Sequence, residues 1–196
     1  ITDRFSIDGG GAPINRAAWQ ALGYDADSIV ATPAQIFRDH PGRDYRLKDA
    51  GPGIDAGTID IDAPTDAEGV SRPLDGDVNG SPIGDLDAYE YLHPSANTDG
   101  DAVRDVDEFI AGTDATNAAS FFRVMSIASQ ASNHVTLSWA SAEGRSYAVF
   151  LSSNVGDAAT AVLTNLVATP PLNSSTLTTG SSDSTFFSVE VDWQRE

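Results

Sequence analysis

Apolar and polar residues alternate with a period of two through the last third of the chain, over residues 121–193. The repeating apolar sets are Val135-Leu137-Trp139, Tyr147-Val149-Leu151 and Phe187-Val189-Val191-Trp193. Such alternation is typical of strands that bury one face and expose the other. About six such strands, separated by turns rich in Ser, Thr, Gly and Asn, predict a small antiparallel β-sandwich, which we place at residues 119–196.

The first 94 residues have a different pattern, because they are rich in Gly, Pro and Asp and contain only short apolar runs. One helix is expected from Asn15 to Leu22, capped by its first residue and stopped by Gly23. Tyr45–Leu47 and Tyr89–Tyr91 are expected to be short strands between turns. The pattern favours a stack of coils over an independent globule. In such a stack each coil buries its few apolar side chains against the neighbouring coils.

A twelve-residue acidic loop lies between these two regions, within residues 95–118. Its side-chain oxygens fall at positions one, three, five, nine and twelve, which are the positions that an EF-hand-type loop uses. Ca²⁺ prefers oxygen ligands, and alternate residues of a tight loop turn inward to supply them. A short helix, capped by Asp105 and stopped by Gly112, is expected to complete the site. The predicted calcium ligands are Asn97, Asp99, Asp101, the carbonyl of Val103, Asp105 and Glu108.

The competing interpretation of this loop is an acidic, solvated turn that caps a helix without a metal. Two departures from the usual motif lower the expected affinity. Ala102 stands where Gly provides the sharp bend, and Asn97 replaces a charged Asp. Both changes favour a site that fills at millimolar, extracellular calcium over a site used in cytosolic signalling.

A second and weaker calcium candidate has the ligands Asp75, Asp77 and Asn79. The segment matches the first half of the same motif, including the glycine at position six, Gly80. Apolar residues stand where the second half of the motif needs oxygen ligands. An ordinary Asp/Asn/Gly turn explains this segment equally well.

The charge of the chain limits its partners. It has 29 acidic and 11 basic side chains, a formal net charge of −18, and no cysteine. Such a surface repels nucleic acid and anionic membranes and attracts divalent cations. No apolar stretch reaches the roughly 18 residues of a membrane span, and neither a disulfide nor a thiolate metal site is possible. We therefore expect neither nucleic-acid binding nor membrane insertion, and we expect calcium to brace the fold in place of disulfides.

The sequence contains no recognisable catalytic motif. His40, His93 and His134 lie in turns or at a strand start, outside any nucleophile motif. The run Gly9–Gly11 lacks the flanking strand and helix of a dinucleotide-binding fingerprint. Carboxylate pairs for glycoside chemistry stay open, because acidic residues are abundant. We expect no catalytic activity from this chain alone.

Several short segments of the first 93 residues share a resemblance to one class of protein. These segments are Ala18–Gln20, Asp25–Ile29, Asp44–Leu47, Gly53–Gly57, Arg72–Asp77 and Asp87–Tyr91. In combination they resemble the C-terminal end of a bacterial right-handed parallel β-helix protein. Members of this class are large secreted or surface-anchored proteins, some of them polysaccharide lyases. The resemblance implies that residues 1–94 are the terminal coils of a parallel β-helix.

The other two regions have resemblances of their own. Residues 97–117 resemble the calcium repeats of thrombospondin type 3 and dockerin-like modules. The segment contains Ala111-Gly112-Thr113-Asp114 near its end. That resemblance implies ligation by Asn97, Asp99, Asp101, Asp105 and Glu108, with Asp114 as a further candidate. Residues 121–193 resemble the fibronectin-III-like sandwiches that follow such repeats in secreted bacterial proteins.

Two functional hypotheses follow. In the first, the chain is a calcium-stabilised structural or assembly module of a secreted or cell-surface bacterial protein. Its partners would be upstream β-helix coils or another copy of itself, because a β-helix cut in mid-stack exposes strand edges. In the second, it is the non-catalytic C-terminal region of a secreted β-helix polysaccharide lyase or a carbohydrate-binding protein, with polysaccharide as the partner. The start at Ile1, without Met or a leader, leads us to expect a processed or excised piece.

Overall fold

The computed structural model describes residues 5–6, 13–25, 28–58, 63–130, 133–179 and 185–193. The helices in these ranges are α1 (Arg16–Ala21), α2 (Pro33–Ile36) and α3 (Asp105–Ala111). The strands are β1 (Phe37–Asp39), β2 (Asp44–Leu47), β3 (Val124–Gln130), β4 (His134–Ala140), β5 (Ser146–Ser152), β6 (Thr160–Val167), β7 (Leu172–Thr178) and β8 (Phe186–Asp192). No described helix has the length and apolar character that crossing a membrane requires. The prediction of a mainly β protein is confirmed. Gly9–Gly11 lies outside the described residues.

Strands β3 to β8 form two antiparallel sheets, in the orders β3-β4-β7 and β6-β5-β8. The sheets share one core, in which Leu137 and Trp139 of β4 pack with Tyr147 and Val149 of β5. All four side chains are at most 1% exposed. They occupy the apolar positions of the period-two pattern, so burial of that face explains why strands form here. The antiparallel pairing predicted for this region is confirmed.

The N-terminal region has few regular elements. Helix α1 begins after Asn15, whose Oδ1 accepts a hydrogen bond from Ala18 N at 2.9 Å, as the sequence predicted. Trp19 is half-buried between the rings of Phe5 and Tyr24. Strands β1 and β2 form an antiparallel pair, which confirms the predicted strand at Tyr45–Leu47.

Carboxylates replace strand ladders as hydrogen-bond acceptors in much of this region. Glu90 N donates to Asp66 Oδ2 at 2.8 Å, and Tyr91 N donates to Asp85 Oδ2 at 2.6 Å. The strand predicted at residues 89–91 is therefore wrong, because side chains satisfy these backbone groups. Glu90 is only 6% exposed, and its Oε2 accepts a hydrogen bond from Arg72 Nε at 2.8 Å.

Helix α3 follows the acidic loop directly. Its N-cap is Arg104, so the prediction that Asp105 caps the helix is wrong. Asp105 is the first helical residue, and its carboxylate accepts hydrogen bonds from the backbone and hydroxyl of Thr98. Gly112 ends the helix at φ 73°, as predicted, in the left-handed conformation that glycine adopts without strain.

A second apolar cluster lies under α3. Val70, Leu74, Phe109 and Ala115 are its buried members. Trp193 falls on a core-facing register of the sandwich by sequence, but it packs against this cluster instead. Its ring centroid lies 4.7 Å from that of Phe109. The helix is therefore in contact with both the loop-rich region and the last strand of the sandwich.

Candidate cation sites

Three carboxylates meet at the start of α3. Asp99 and Asp101 lie in the loop before the helix and Glu108 lies on it, and one oxygen of each lies within 4.8 Å of the others. Two local turns set this geometry. Asp99 Oδ1 accepts a hydrogen bond from Asp101 N at 3.1 Å, and Asp101 Oδ1 accepts one from Val103 N. Gly100 permits the bend with φ 76°.

Two oxygens of this cluster are buried without a hydrogen-bond partner in the described part of the chain, Glu108 Oε2 and Asp99 Oδ2. Glu108 is 0% exposed, and its other oxygen accepts a hydrogen bond from Thr113 Oγ1 at 3.2 Å. A buried acceptor without a donor costs about 1–3 kcal/mol, and more when it is charged. A cation among the three carboxylates would supply the missing partner for both oxygens.

Burial and like charges act together on Glu108. Burial, and after it the neighbouring charges of Asp99, Asp101 and Asp105, together raise its pKa to about 7. The hydrogen bond from Thr113 opposes this shift. Glu108 is therefore hard to ionise beside the other carboxylates, and a positive charge among them would favour its ionised form.

The remaining predicted ligands of this loop take other roles in the described structure. Asn97 Oδ1 accepts a hydrogen bond from Gly100 N at 2.9 Å, and its amide donates to Asp101 O. Both oxygens of Asp105 accept hydrogen bonds from Thr98, at 2.8 and 2.7 Å. Asp114, the further candidate, accepts hydrogen bonds from Thr116 at the other end of α3. Ligation by these residues and by the carbonyl of Val103 stays a prediction.

A second group of carboxylates consists of Asp55, Asp75 and Asp77, whose ligand oxygens also lie within 4.8 Å of one another. Asp75 is 8% exposed, and its two oxygens accept hydrogen bonds from the backbone of Asn79 and Gly80, at 3.0 and 2.8 Å. Backbone N–H groups therefore already satisfy the most buried member. Asn79, the third predicted ligand, donates its amide to Asp77 Oδ2 at 2.9 Å.

Asp55 was not among the predicted ligands. Its Oδ1 and Oδ2 accept hydrogen bonds from Gly76 N and Asp77 N, at 3.3 and 2.8 Å, across about twenty residues of sequence. Burial, followed by the neighbouring Asp77, raises the pKa of Asp55 to about 6. The spacing of neighbouring acidic residues in the sequence could not identify Asp55. It reaches Asp75 only through contacts between two segments that are distant in sequence.

A chain of hydrogen bonds joins the second group to Asp105, a residue of the acidic loop. Asp75 N donates to Thr98 Oγ1 at 3.0 Å, and Thr98 Oγ1 donates to Asp105 Oδ2 at 2.7 Å. Asp105 is 0% exposed, so this contact fixes the acidic loop against the second group from the inside. Each of the two groups could hold a metal ion.

His40 and His93 form no catalytic arrangement in the described residues. His93 Nδ1 lies 3.1 Å from Ser95 Oγ and accepts a hydrogen bond from Ser95 N, within one turn. His40 packs against the rings of Phe37 and Tyr45. A hydrolytic triad also needs an acid that orients the imidazole, and neither ring contacts a carboxylate in the described part of the chain.

Comparisons of this chain with protein-family models, with curated proteins and with solved structures found no match.

Proposed function

We propose that this chain is a calcium-stabilised structural module of a secreted or cell-surface bacterial protein. The observation that supports it best is the pair of buried, unpartnered oxygens on Glu108 and Asp99, in a loop whose acid spacing suits Ca²⁺. An acidic surface turn would leave such oxygens in water, whereas Glu108 is 0% exposed. The role is structural because the cation would join the loop to the helix that follows it.

Calcium fits the donor set better than zinc does. All three clustered ligands are carboxylates, and hard cations with oxygen shells prefer such groups, whereas zinc prefers His and Cys. Ca²⁺ accepts six to eight oxygens in a flexible geometry, so Asn97 and the carbonyl of Val103 would complete the shell. Position nine of such loops often ligates through water, which suits the inner position of Asp105.

The proposed location follows from the same site. The chain has no disulfides, and a bound metal would raise its free energy of unfolding. The gain increases with the ratio of the free metal concentration to Kd. A loop with Ala102 and Asn97 at two key positions is expected to bind weakly, and it would fill where calcium is millimolar, outside the cell.

For the N-terminal region we propose the terminal coils of a parallel β-helix, which join upstream coils or a second copy of the chain. Several large apolar side chains of this region are open to solvent, as a surface that normally has a partner would be. Leu22 is 53% exposed, Tyr24 51% and Val30 74%. Sedimentation velocity of the wild-type chain over a range of concentrations tests self-association. A single monomeric species throughout would leave the upstream coils as the remaining proposed partner.

The calcium proposal is tested by titration calorimetry and thermal unfolding of the full chain. We expect saturable binding of Ca²⁺ and a higher Tm in calcium than in chelator, with both effects lost in Asp99→Ala. Asp157→Ala is the matched control, since Asp157 is an exposed acid in the sandwich. Equal Tm values of the wild type in calcium and in chelator, with no heat of binding, would refute the proposal.

A pocket of about 280 Å³ favours the second candidate function, binding of polysaccharide as the non-catalytic region of a β-helix lyase. Arg38, Arg46, Tyr89 and Trp193 are among its lining residues, and they combine aromatic faces with guanidinium donors. Titration with uronate and neutral oligosaccharides, followed by tryptophan fluorescence, tests this function. An unchanged signal with every oligosaccharide would exclude a role for this pocket.

A further inference from the structure

Helix α3 is too short to be stable alone, and its two ends are held by different parts of the chain. It spans seven residues, and isolated helices need roughly 12–15 residues to be even marginally stable in water. Its first turn contributes Glu108 to the candidate cation site. Its last residues contact the sandwich. The conformation of the helix therefore depends on both ends at once.

Arg145, the residue just before β5, holds the C-terminal end of this helix. Its Nε donates to Ile110 O at 2.8 Å, and a terminal nitrogen donates to Phe109 O at 2.5 Å. These carbonyls belong to the last helical turn, where a positive charge interacts favourably with the helix dipole. The same guanidinium lies 5.5 Å from the ring centroid of Phe109 and 5.4 Å from that of Trp193.

The backbone at this end also approaches the sandwich closely. A Cβ atom placed on Gly112 would overlap with Ala142 Cβ, in the turn between β4 and β5. Phe109 and Trp193 pack edge to face across the same junction. Glu108, the buried member of the cation cluster, directly precedes Phe109 in the helix. A shift of the helix that moves Glu108 must therefore also move the residues that contact Arg145 and Trp193.

We propose that cation binding at Asp99, Asp101 and Glu108 is thermodynamically coupled to docking of the sandwich on α3, with Arg145 as the residue that transmits the coupling. The cation orders the first turn of the helix and the sandwich orders the last turn. Each binding event therefore lowers the entropic cost of ordering the helix that the other must meet. This inference rests on the proposed calcium site and adds a regulated junction to it. Linkage requires the effect to be reciprocal: loss of the docking contacts weakens cation binding.

The first test is the calcium affinity of Arg145→Ala, measured by titration calorimetry on the full chain. We expect Kd to rise at least about fivefold, the lower end of typical coupling between sites. Arg123→Ala is the matched control, because Arg123 lies on the same sandwich over the ring of Phe121, at 5.1 Å. Its Kd should equal that of the wild type. Near-ultraviolet circular dichroism would report whether the core around Trp139 stays packed in each variant.

A second measurement uses the wild type alone and does not depend on whether the variant folds. Amide hydrogen exchange is compared in calcium and in chelator. We expect calcium to slow exchange in residues 97–113 and also in residues 141–146 and 186–193, with β6 unchanged as an internal reference. Protection of residues 97–113 alone, or an unchanged Kd in a folded Arg145→Ala, would overturn the coupling and leave the calcium site standing. Absence of protection anywhere would overturn both.

Discussion

Replacing Glu108 by Gln should have opposite effects with and without calcium. At 4.8 Å, the upper limit of the oxygen separations in this cluster, two carboxylates repel by roughly 3 kcal/mol at an effective dielectric near 20. Solvent screening reduces this repulsion, because Asp99 and Asp101 are half-exposed. Without calcium at pH 8, the substitution removes the buried charge and should stabilise the fold by about 1 kcal/mol or more. For a chain of this length, each 1 kcal/mol raises Tm by about 2–4 °C.

With calcium the sign reverses, because the variant lacks a charged ligand at the position that closes the coordination sphere. A free calcium concentration a hundredfold above Kd should stabilise the wild type by about 2.7 kcal/mol, and the variant should lose most of this gain. The assay is thermal unfolding at pH 8 in millimolar calcium and in excess chelator. Glu143→Gln is the control, since it removes the same charge from an exposed turn.

The crossover is the decisive feature of this experiment. Equal destabilisation by Glu108→Gln in calcium and in chelator would contradict this prediction, since it would make Glu108 a purely structural residue. A crossover in Glu143→Gln as well would also contradict it, because the effect would then come from net charge.

Four other predictions follow from the same structure. Burial raises the pKa of Glu108 and of Asp85 to about 7, so the folded state holds more protons than the unfolded chain between the ordinary pKa values and about 7. Stability in chelator should therefore fall as pH rises from 4.5 to 7, and calcium should reduce the Glu108 part of that fall in Tm measurements across this range. Glu90→Ala should cost about 3–5 kcal/mol in urea unfolding, because it leaves the guanidinium of a largely buried ion pair without its partner; an effect below 1 kcal/mol would contradict this. Gly112→Ala should lower the free energy of unfolding by more than 1 kcal/mol, since the position combines positive φ with a close approach of the sandwich; equal unfolding midpoints would contradict it. Leu137→Ala should cost about 2–5 kcal/mol in the same assay, because its side chain is 0% exposed in the sandwich core; a cost like that of a surface substitution would place the core elsewhere.

The sandwich could be predicted from the sequence because its signal is local. Each strand alternates apolar and polar residues, so Leu137, Trp139, Tyr147 and Val149 could be assigned to one buried face without knowledge of their partners. The acid spacing of the loop likewise placed Asp99, Asp101 and Glu108 together in advance, because a twelve-residue turn followed by a helix largely determines its own geometry.

The parts that could not be predicted depend on contacts between distant segments. Asp55 joins the second acidic group through hydrogen bonds to Gly76 and Asp77, and no spacing rule reaches across that distance. Tyr89–Tyr91 resembles a strand, yet side-chain carboxylates from elsewhere take its backbone hydrogen bonds. Trp193 continues the apolar register of β8, but the strand ends before it and its ring packs on α3.

A crystal structure of the wild-type chain grown in millimolar calcium would show whether the acidic loop binds the ion. We predict an anomalous density peak about 2.3–2.6 Å from oxygens of Asp99, Asp101 and Glu108, with further oxygens completing six to eight ligands. At saturating calcium, a well-ordered loop without such a peak, or a peak bound only by other residues, would contradict this prediction.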